Sequence, residues 1–328
     1  MGKEGVCKEM KFRVLSDLHL DVNKDYDFFI PKNQQGMFTV LCGDTSGNPL
    51  VTREWIEENL KEGVFVSGNH LVYNDRGKGV DELRAELAWE HGKDDPMTYL
   101  DALIGEPCVV KEKDGILFVG TALYTNFLLP YKWDYEDEQQ QDGPPSEKGN
   151  ELTKLRNGMR SERRMNDYHW GRVADDGGLR RMCYEDYLKW FDKSFAAIKK
   201  VIEDNPDKEV VVVTHYCPSP KCIDEGYLDS DVNASYVSNL EDFITSHPNI
   251  KCWCCGHVHH QDSFKVGQCL VVMNPRGYVG RLEDRNFDRR LYVDTSDWSL
   301  HKHKRTKAEQ KEFDERYKKF LSWSAWFM

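Results

Sequence analysis

Five short apolar runs in this chain each stop at a polar cluster of Asp, Asn, Thr or His, and that repeated ending constrains the fold more than any other feature. KFRVL (11–15) leads into Ser16-Asp17-Leu18-His19, and MFTVL (37–41) leads into Cys42-Gly43-Asp44. Residues 64–66 lead into Ser67-Gly68-Asn69-His70, 210–213 into Thr214-His215, and 250–255 into Gly256-His257-Val258-His259. Short apolar runs bounded by turn signals read as strands buried on both faces. Between the first three, residues 49–61 and 80–90 carry apolar positions at three- and four-residue spacings, which predicts amphipathic helices. The first third is therefore β-α-β-α-β, the pattern of a mostly parallel sheet covered by helices. In open sheets of this kind the carboxyl ends of the strands converge on one crevice, so the five clusters are expected to meet.

The remainder continues the pattern with two departures. Residues 109–110 and 116–119 flank a Lys-Asp-Gly turn and predict a hairpin. Residues 184–202 predict a helix with Leu188, Phe191, Phe195, Ile198 and Ile202 on one face. A second helix is expected over 235–246, and strands over 264–266, 270–273 and 291–293. The first departure is an insertion at about 131–181, long for a plain connection. It begins with the acidic, low-complexity WDYEDEQQQDGPPSEKGNE. From 154 to 181 the balance reverses, with Lys154, Arg156, Arg160, Arg163, Arg164, Arg172, Arg180 and Arg181 against four acidic residues. A lid that draws in an anion and a solvated face both fit this part. The second departure is 296–328, a basic stretch read as helical that closes on the apolar LSWSAWFM, a segment for docking on the body or on a partner.

With 328 residues the chain has room for one large domain or two modest ones. Its 12% aromatic residues exclude disorder throughout. No stretch approaches the ~20 apolar residues of a membrane span, and the opening lacks the apolar core of a secretory signal, so the expectation is a cytoplasmic protein with no membrane contact. Fifty-six acidic residues against 45 basic ones leave a net charge of −11, a poor match to polyanions. The 10 cysteines read as free thiols of a reducing compartment. Cys252, Cys254 and Cys255, with Cys217 and Cys222, raise the alternative of a zinc knuckle. Cys-Trp-Cys-Cys inside a strand, however, sends alternate side chains to opposite faces, so buried thiols are expected.

The clusters are chemically coherent. They supply carboxylate and amide oxygens and imidazole nitrogens, a donor set suited to Mn, Fe, Zn or Ni rather than to a structural zinc. There are enough donors for two ions sharing one carboxylate, the arrangement that clamps an in-line displacement at phosphorus.

In order along the chain the motifs are D-x-H (Asp17, His19), G-D (Gly43, Asp44), G-N-H (Gly68, Asn69, His70), H (His215) and G-H-x-H (Gly256, His257, His259). With them the chain resembles the calcineurin-like metallophosphoesterase superfamily. VVTHYCPSP (212–220), VVMNPRGY (271–278) and Met165-Asn166-Asp167-Tyr168 are similar to a single-domain phosphoesterase or phosphatase branch of it. The resemblance implies an α/β fold, a four-layer α/β/β/α sandwich of two mixed sheets flanked by helices, in a catalytic domain over 1–295. It also implies two divalent metal ions, Mn2+ foremost, with Fe, Zn or Ni as alternatives. One ion would be held by Asp17, His19 and His259 and the other by Asn69, His215 and His257, with Asp44 bridging. A hydroxide between them would attack phosphorus, and His70, not a ligand, would stabilise the phosphate and protonate the leaving oxygen. Many relatives follow G-N-H with an acidic residue; here Leu71 stands there.

Asn166, Tyr168 and Arg276 are the expected substrate-binding residues. The expected function is hydrolysis of a phosphate mono- or diester on a phosphorylated small molecule or phosphoprotein. A nuclease of the same superfamily is the alternative, though nucleic acid is disfavoured by the net charge. A non-catalytic binding scaffold is the third reading, against which the intact ligand set argues.

Overall fold

The computed structural model describes residues 9–23, 28–73, 77–88, 96–100, 109–130, 147–281, 287–302, 307 and 311. The chain runs β1 (Lys11–Leu15), β2 (Phe38–Cys42), α1 (Pro49–Asn59), β3 (Gly63–Val66), α2 (Val80–Ala88), β4 (Met97–Tyr99), β5 (Val110–Lys113) and β6 (Ile116–Thr121). The insertion supplies α3 (Glu147–Arg164), α4 (Asn166–Trp170), β7 (Arg172–Asp175) and β8 (Gly178–Arg181). There follow α5 (Tyr184–Asp204), β9 (Glu209–Thr214), α6 (Glu241–Ser246), β10 (Ile250–Cys255), β11 (Asp262–Val266), β12 (Cys269–Met273), β13 (Leu291–Asp294) and β14 (Ser299–Lys302).

Two six-stranded mixed sheets form the body, in the orders β14-β13-β1-β2-β3-β4 and β11-β12-β10-β9-β6-β5. In the first, β1 to β4 are parallel and β13 and β14 close the edge antiparallel. In the second, β6, β9, β10 and β12 are parallel between antiparallel edges. Strand alternation sorts the side chains into layers. Phe12, Val14, Val40, Phe118, Val211 and Val213 fill the space between the sheets, where Phe12 meets Phe118 edge to face at 5.6 Å. Leu15, Leu41 and Phe65 face the other way, onto Trp55 and Ile56 of α1 and Leu83 and Leu87 of α2. Val210, Val212 and Trp253 likewise pack against Trp190, Phe191 and Ile198 of α5. This is the four-layer sandwich expected from the sequence. The apolar runs are continuous because both faces of each central strand are covered.

Three expectations change. The helix expected over 235–246 is confined to α6, because Val237 bridges Cys217 and the 236–238 backbone pairs with Cys217 as an extended segment. In the stretch assigned to a helical tail, Ser299–Lys302 is β14 in the first sheet, so the domain runs past 295 to at least Lys302. The insertion contains an 18-residue helix, α3, that no apolar period announced. Its buried face is polar: Asn157 donates to Phe127 O and Leu129 O, and Ser161 meets Ser235, while Leu152, Leu155 and Met159 are exposed. Of the acidic WDYEDEQQQDGPPSEKGNE (133–151), residues 147–151 open helix α3; the rest of it and the closing LSWSAWFM lie outside the described residues.

Candidate metal centre

The five clusters converge at the carboxyl ends of β1, β2 and β3 in one sheet and β9 and β10 in the other. Backbone hydrogen bonds tie these ends together. Asp17 N–H donates to Gly43 O at 3.1 Å, His19 N–H to Asp44 O at 3.0 Å, and Gly256 N–H to His215 O at 3.0 Å. Asp17, His19, Asp44, His257 and His259 have φ of 51°, 46°, 48°, 70° and 50°, the left-handed region. Each such residue without a glycine costs on the order of 1 kcal/mol or more, and strain of this kind concentrates where side chains must be aimed at a site.

Two motif glycines have a steric reason. A Cβ on Gly68 would lie 2.0 Å from Asp44 Oδ1, and one on Gly256 would lie 2.4 Å from Asp17 Oδ2. The two carboxylates therefore rest against backbone that has no side chain.

The donors form overlapping sets. Asp17, His19 and His259 bring ligand atoms together, as do His19, Asp44 and His70, and Asp17, Asp44 and His215. Asp17, His19 and Asp44 each belong to two of these groups, and Asp44 lies within reach of both His19 and His215. His215 Nδ1–H donates to Cys42 O at 2.8 Å, which turns Nε2 inward. There it faces two oxygens, Asn69 Oδ1 at 2.9 Å and Asp44 Oδ2 at 3.3 Å. A ring nitrogen can face two acceptors only if it carries a proton or a cation lies among them. Burial alone pulls the His215 pKa down, but the Asp44 charge and hydrogen bond outweigh it and raise the value to about 9. On the other side His19 Nε2 and His259 Nε2 stand head to head at 2.9 Å. His257 Nε2 and His19 Nδ1 are buried with no hydrogen-bond partner among the described residues. Burial, then the neighbouring imidazoles, hold His19 down at about 3, and burial keeps His257 well below the usual histidine range. Burial opposes ionisation of Asp17 and Asp44, yet the surrounding histidines hold both carboxyls well below the ordinary range. Ionised carboxylates beside the neutral His19 and His257 rings offer donors a divalent cation can take, and an ion lying between His215 Nε2, Asn69 Oδ1 and Asp44 Oδ2 would replace the proton His215 otherwise holds, so the residues fit the expected ions.

The structure brings Asp17, His19, Asp44, Asn69, His70, His215, His257 and His259 into this one cluster. His70 sits at its mouth. Its backbone N–H donates to Asp44 Oδ1 at 2.9 Å, and its Nε2 stays 4.0 Å from Asp44 Oδ2 and 3.1 Å from Tyr278 Oη. The expected substrate residues fall elsewhere. Asn166 is exposed at the start of α4, Tyr168 is buried against Tyr187, and Arg276 is buried with its guanidinium over the Phe28 ring. The segments that carried them do reach the centre, through different residues. Tyr278 bonds His70 and stacks on His19 at 4.7 Å. Asp167, fully buried, accepts from Tyr73 Oη at 2.8 Å, and Tyr73 Oη receives Asn69 Nδ2 at 3.0 Å. That chain turns the Asn69 amide so that its oxygen points inward. Arg164, Arg172 and Arg180 of the insertion are engaged locally, with Asp231, backbone carbonyls and Asp186. His260 pairs with Asp224 at 3.1 Å on the rim.

No family model matches the chain. A curated relative, the uncharacterized protein L509 of Acanthamoeba polyphaga mimivirus, is 24% identical over 306 residues, covering 86% of this chain and 95% of that protein. Among solved structures, a phosphopantetheinyl hydrolase (PptH) from Mycobacterium tuberculosis superposes with a TM-score of 0.55 at 17% identity, covering 92% of this chain and 98% of that one. The fold is of the metallophosphoesterase type. In this fold the first sheet delivers Asp17, His19, Asp44, Asn69 and His70, and the second delivers His215, His257 and His259. No helix among the described residues is long and apolar enough to cross a membrane.

Proposed function

We propose that this chain is a metal-dependent phosphoesterase that binds two divalent cations, Mn2+ foremost, and hydrolyses a phosphate ester on a small molecule or a phosphoprotein. The observation that supports the reading is one buried donor cluster in which Asp44 lies within reach of both His19 and His215. The fold held in common with a phosphopantetheinyl hydrolase supports the reaction class.

Asp17, His19 and His259 would hold one cation, Asn69, His215 and His257 the other, and Asp44 both; so held, the ions would supply Lewis-acid charge at a phosphoryl oxygen and an attacking hydroxide at neutral pH. The protein's own groups do the rest. Cys42 O fixes the His215 tautomer, and Tyr73 fixes the Asn69 amide. His70 has a side chain 12% exposed and stands over the cluster, where its Nε2 can donate to a phosphoryl oxygen and then to the leaving oxygen. Tyr278, hydrogen-bonded to that nitrogen, keeps the ring turned toward the opening.

The test is metal-stripped protein titrated with Mn2+, Ni2+, Zn2+ and Fe2+ against p-nitrophenyl phosphate and bis-p-nitrophenyl phosphate in parallel. Metal-restored turnover supports the reading. Preference for the first ester assigns a phosphomonoesterase, and preference for the second a phosphodiesterase or nuclease. Folded protein that takes up no metal and turns over neither ester refutes it.

A further inference from the structure

Beneath the candidate centre lies a second donor cluster of different chemistry. Cys217, Cys222 and Cys255 are all buried, with their Sγ atoms within 4.8 Å of one another. A fourth sulfur, Met273 Sδ, lies 3.8 Å from Cys217 Sγ. Strand alternation is what assembles the group. Cys252 and Cys254 of β10 face the space between the sheets, whereas Cys255 faces the α5 side, where Cys217 and Cys222 also lie. Cys222 ends the single turn Pro220–Cys222, which Ser219 caps by accepting from Lys221 N–H at 3.2 Å.

We propose that Cys217, Cys222 and Cys255 bind a thiophilic d10 cation, Zn2+ or Cu+, as thiolates, with the Met273 thioether beside them. Thiolate and thioether donors select these ions over the oxygen-seeking cations suited to the Asp–His centre. Thiolates about 2.3 Å from a tetrahedral ion stand about 3.8 Å apart, so closure needs movements of about 1 Å or less. Binding displaces three thiol protons and oxidises nothing. The Cys217 thiol now donates to Gly256 O at 3.2 Å, and that carbonyl keeps a donor when the thiol ionises, because Val258 N–H reaches it at 2.9 Å. The ion would pin the loop after β9 to the end of β10. Cys217 is two residues from His215 and Cys255 two from His257, so the pin would hold both imidazoles in place.

Reduced, metal-free full-length protein titrated with Co2+ separates the two sites, because only thiolate ligands give sulfur-to-Co2+ charge transfer in the near ultraviolet. The expected result is a charge-transfer band that saturates at one ion per chain, disappears in Cys222→Ser and persists in Asp44→Asn. One equivalent of Zn2+ or of Cu+ should then erase it, and the more effective competitor names the ion. A folded wild-type protein that shows no such band at saturating Co2+ overturns the proposal without reference to any variant. So does a band that survives in Cys222→Ser.

Discussion

Gly68→Ala adds one carbon, and its effect follows from contact alone. Gly68 has φ −118° and ψ −176°, extended backbone open to any residue, so alanine meets no conformational penalty. Its Cβ would lie 2.0 Å from Asp44 Oδ1, 2.5 Å from Asp44 Cγ and 2.6 Å from the Asp44 backbone nitrogen, where real Cβ atoms stay beyond 3.0 Å. The carboxylate must therefore retreat by about 1 Å, a misplacement that costs ~100-fold in rate when it falls on reacting groups. It has little room to move, since His70 N–H holds Oδ1 at 2.9 Å and His215 Nε2 faces Oδ2 at 3.3 Å. Overpacking of this kind destabilises by about 1–3 kcal/mol, a fall of a few degrees in Tm. The expected outcome is kcat lowered ~100-fold on the preferred p-nitrophenyl ester, together with weaker metal uptake by elemental analysis. Gly36→Ala is the control: nothing lies within 4 Å of its Cβ, and turnover and metal content should match wild type. Gly68→Ala with wild-type kcat and a full metal complement would refute the argument that Asp44 rests on this glycine and bridges the centre.

Other substitutions probe the surrounding groups. His70→Ala should lower kcat by roughly 100- to 10,000-fold while leaving the metal content intact; lost metal would make His70 a ligand. Tyr73→Phe deletes the hydroxyl that receives Asn69 Nδ2 and should weaken metal affinity about 10- to 100-fold, read by competition with a chelating dye; unchanged affinity means Tyr73 does not position Asn69. Asp186 caps α5, taking the Cys183 N–H at 2.9 Å and the Arg180 guanidinium at 2.7 Å. Burial raises its pKa, but the Arg180 and Cys183 bonds prevail and hold it below the ordinary carboxylate value. A depressed folded pKa adds stability that is present above the unfolded value of about 3.9 and lost as pH falls through the folded one. Asp186→Ala should therefore lose about 1 kcal/mol near pH 7, and the gap to wild type should narrow below about pH 4. A constant gap in urea melts from pH 7 to pH 3 rules this out.

The strands and the donors were legible in the sequence for one reason: both are local. A run such as VVVV over 210–213 is buried on two faces wherever it folds, and a donor cluster at its end must lie at a sheet's carboxyl edge. The α5 face was legible because its period is apolar. Helix α3 was not, because its inner face is Asn157 and Ser161, satisfied by carbonyls and a serine far away in sequence. Strand β14 was not, because edge residues such as half-buried His301 and exposed Lys302 carry no strand pattern of their own.

What the sequence determined by itself is the set of strand-end clusters that supply the candidate donors; the two-sheet frame was only implied by the resemblance until the structure showed it. What only the tertiary structure decided is which side chains stand behind those donors. Tyr278 rather than Arg276 meets His70, and Asp167 rather than Tyr168 reaches toward Asn69. Cys255 rather than Cys252 joins Cys217 and Cys222. Each pair lies one to three residues apart in segments the sequence had already marked. The choice between them depends on which way a turn or strand presents its side chains once packed, and that direction is set by the neighbouring elements rather than by the segment itself.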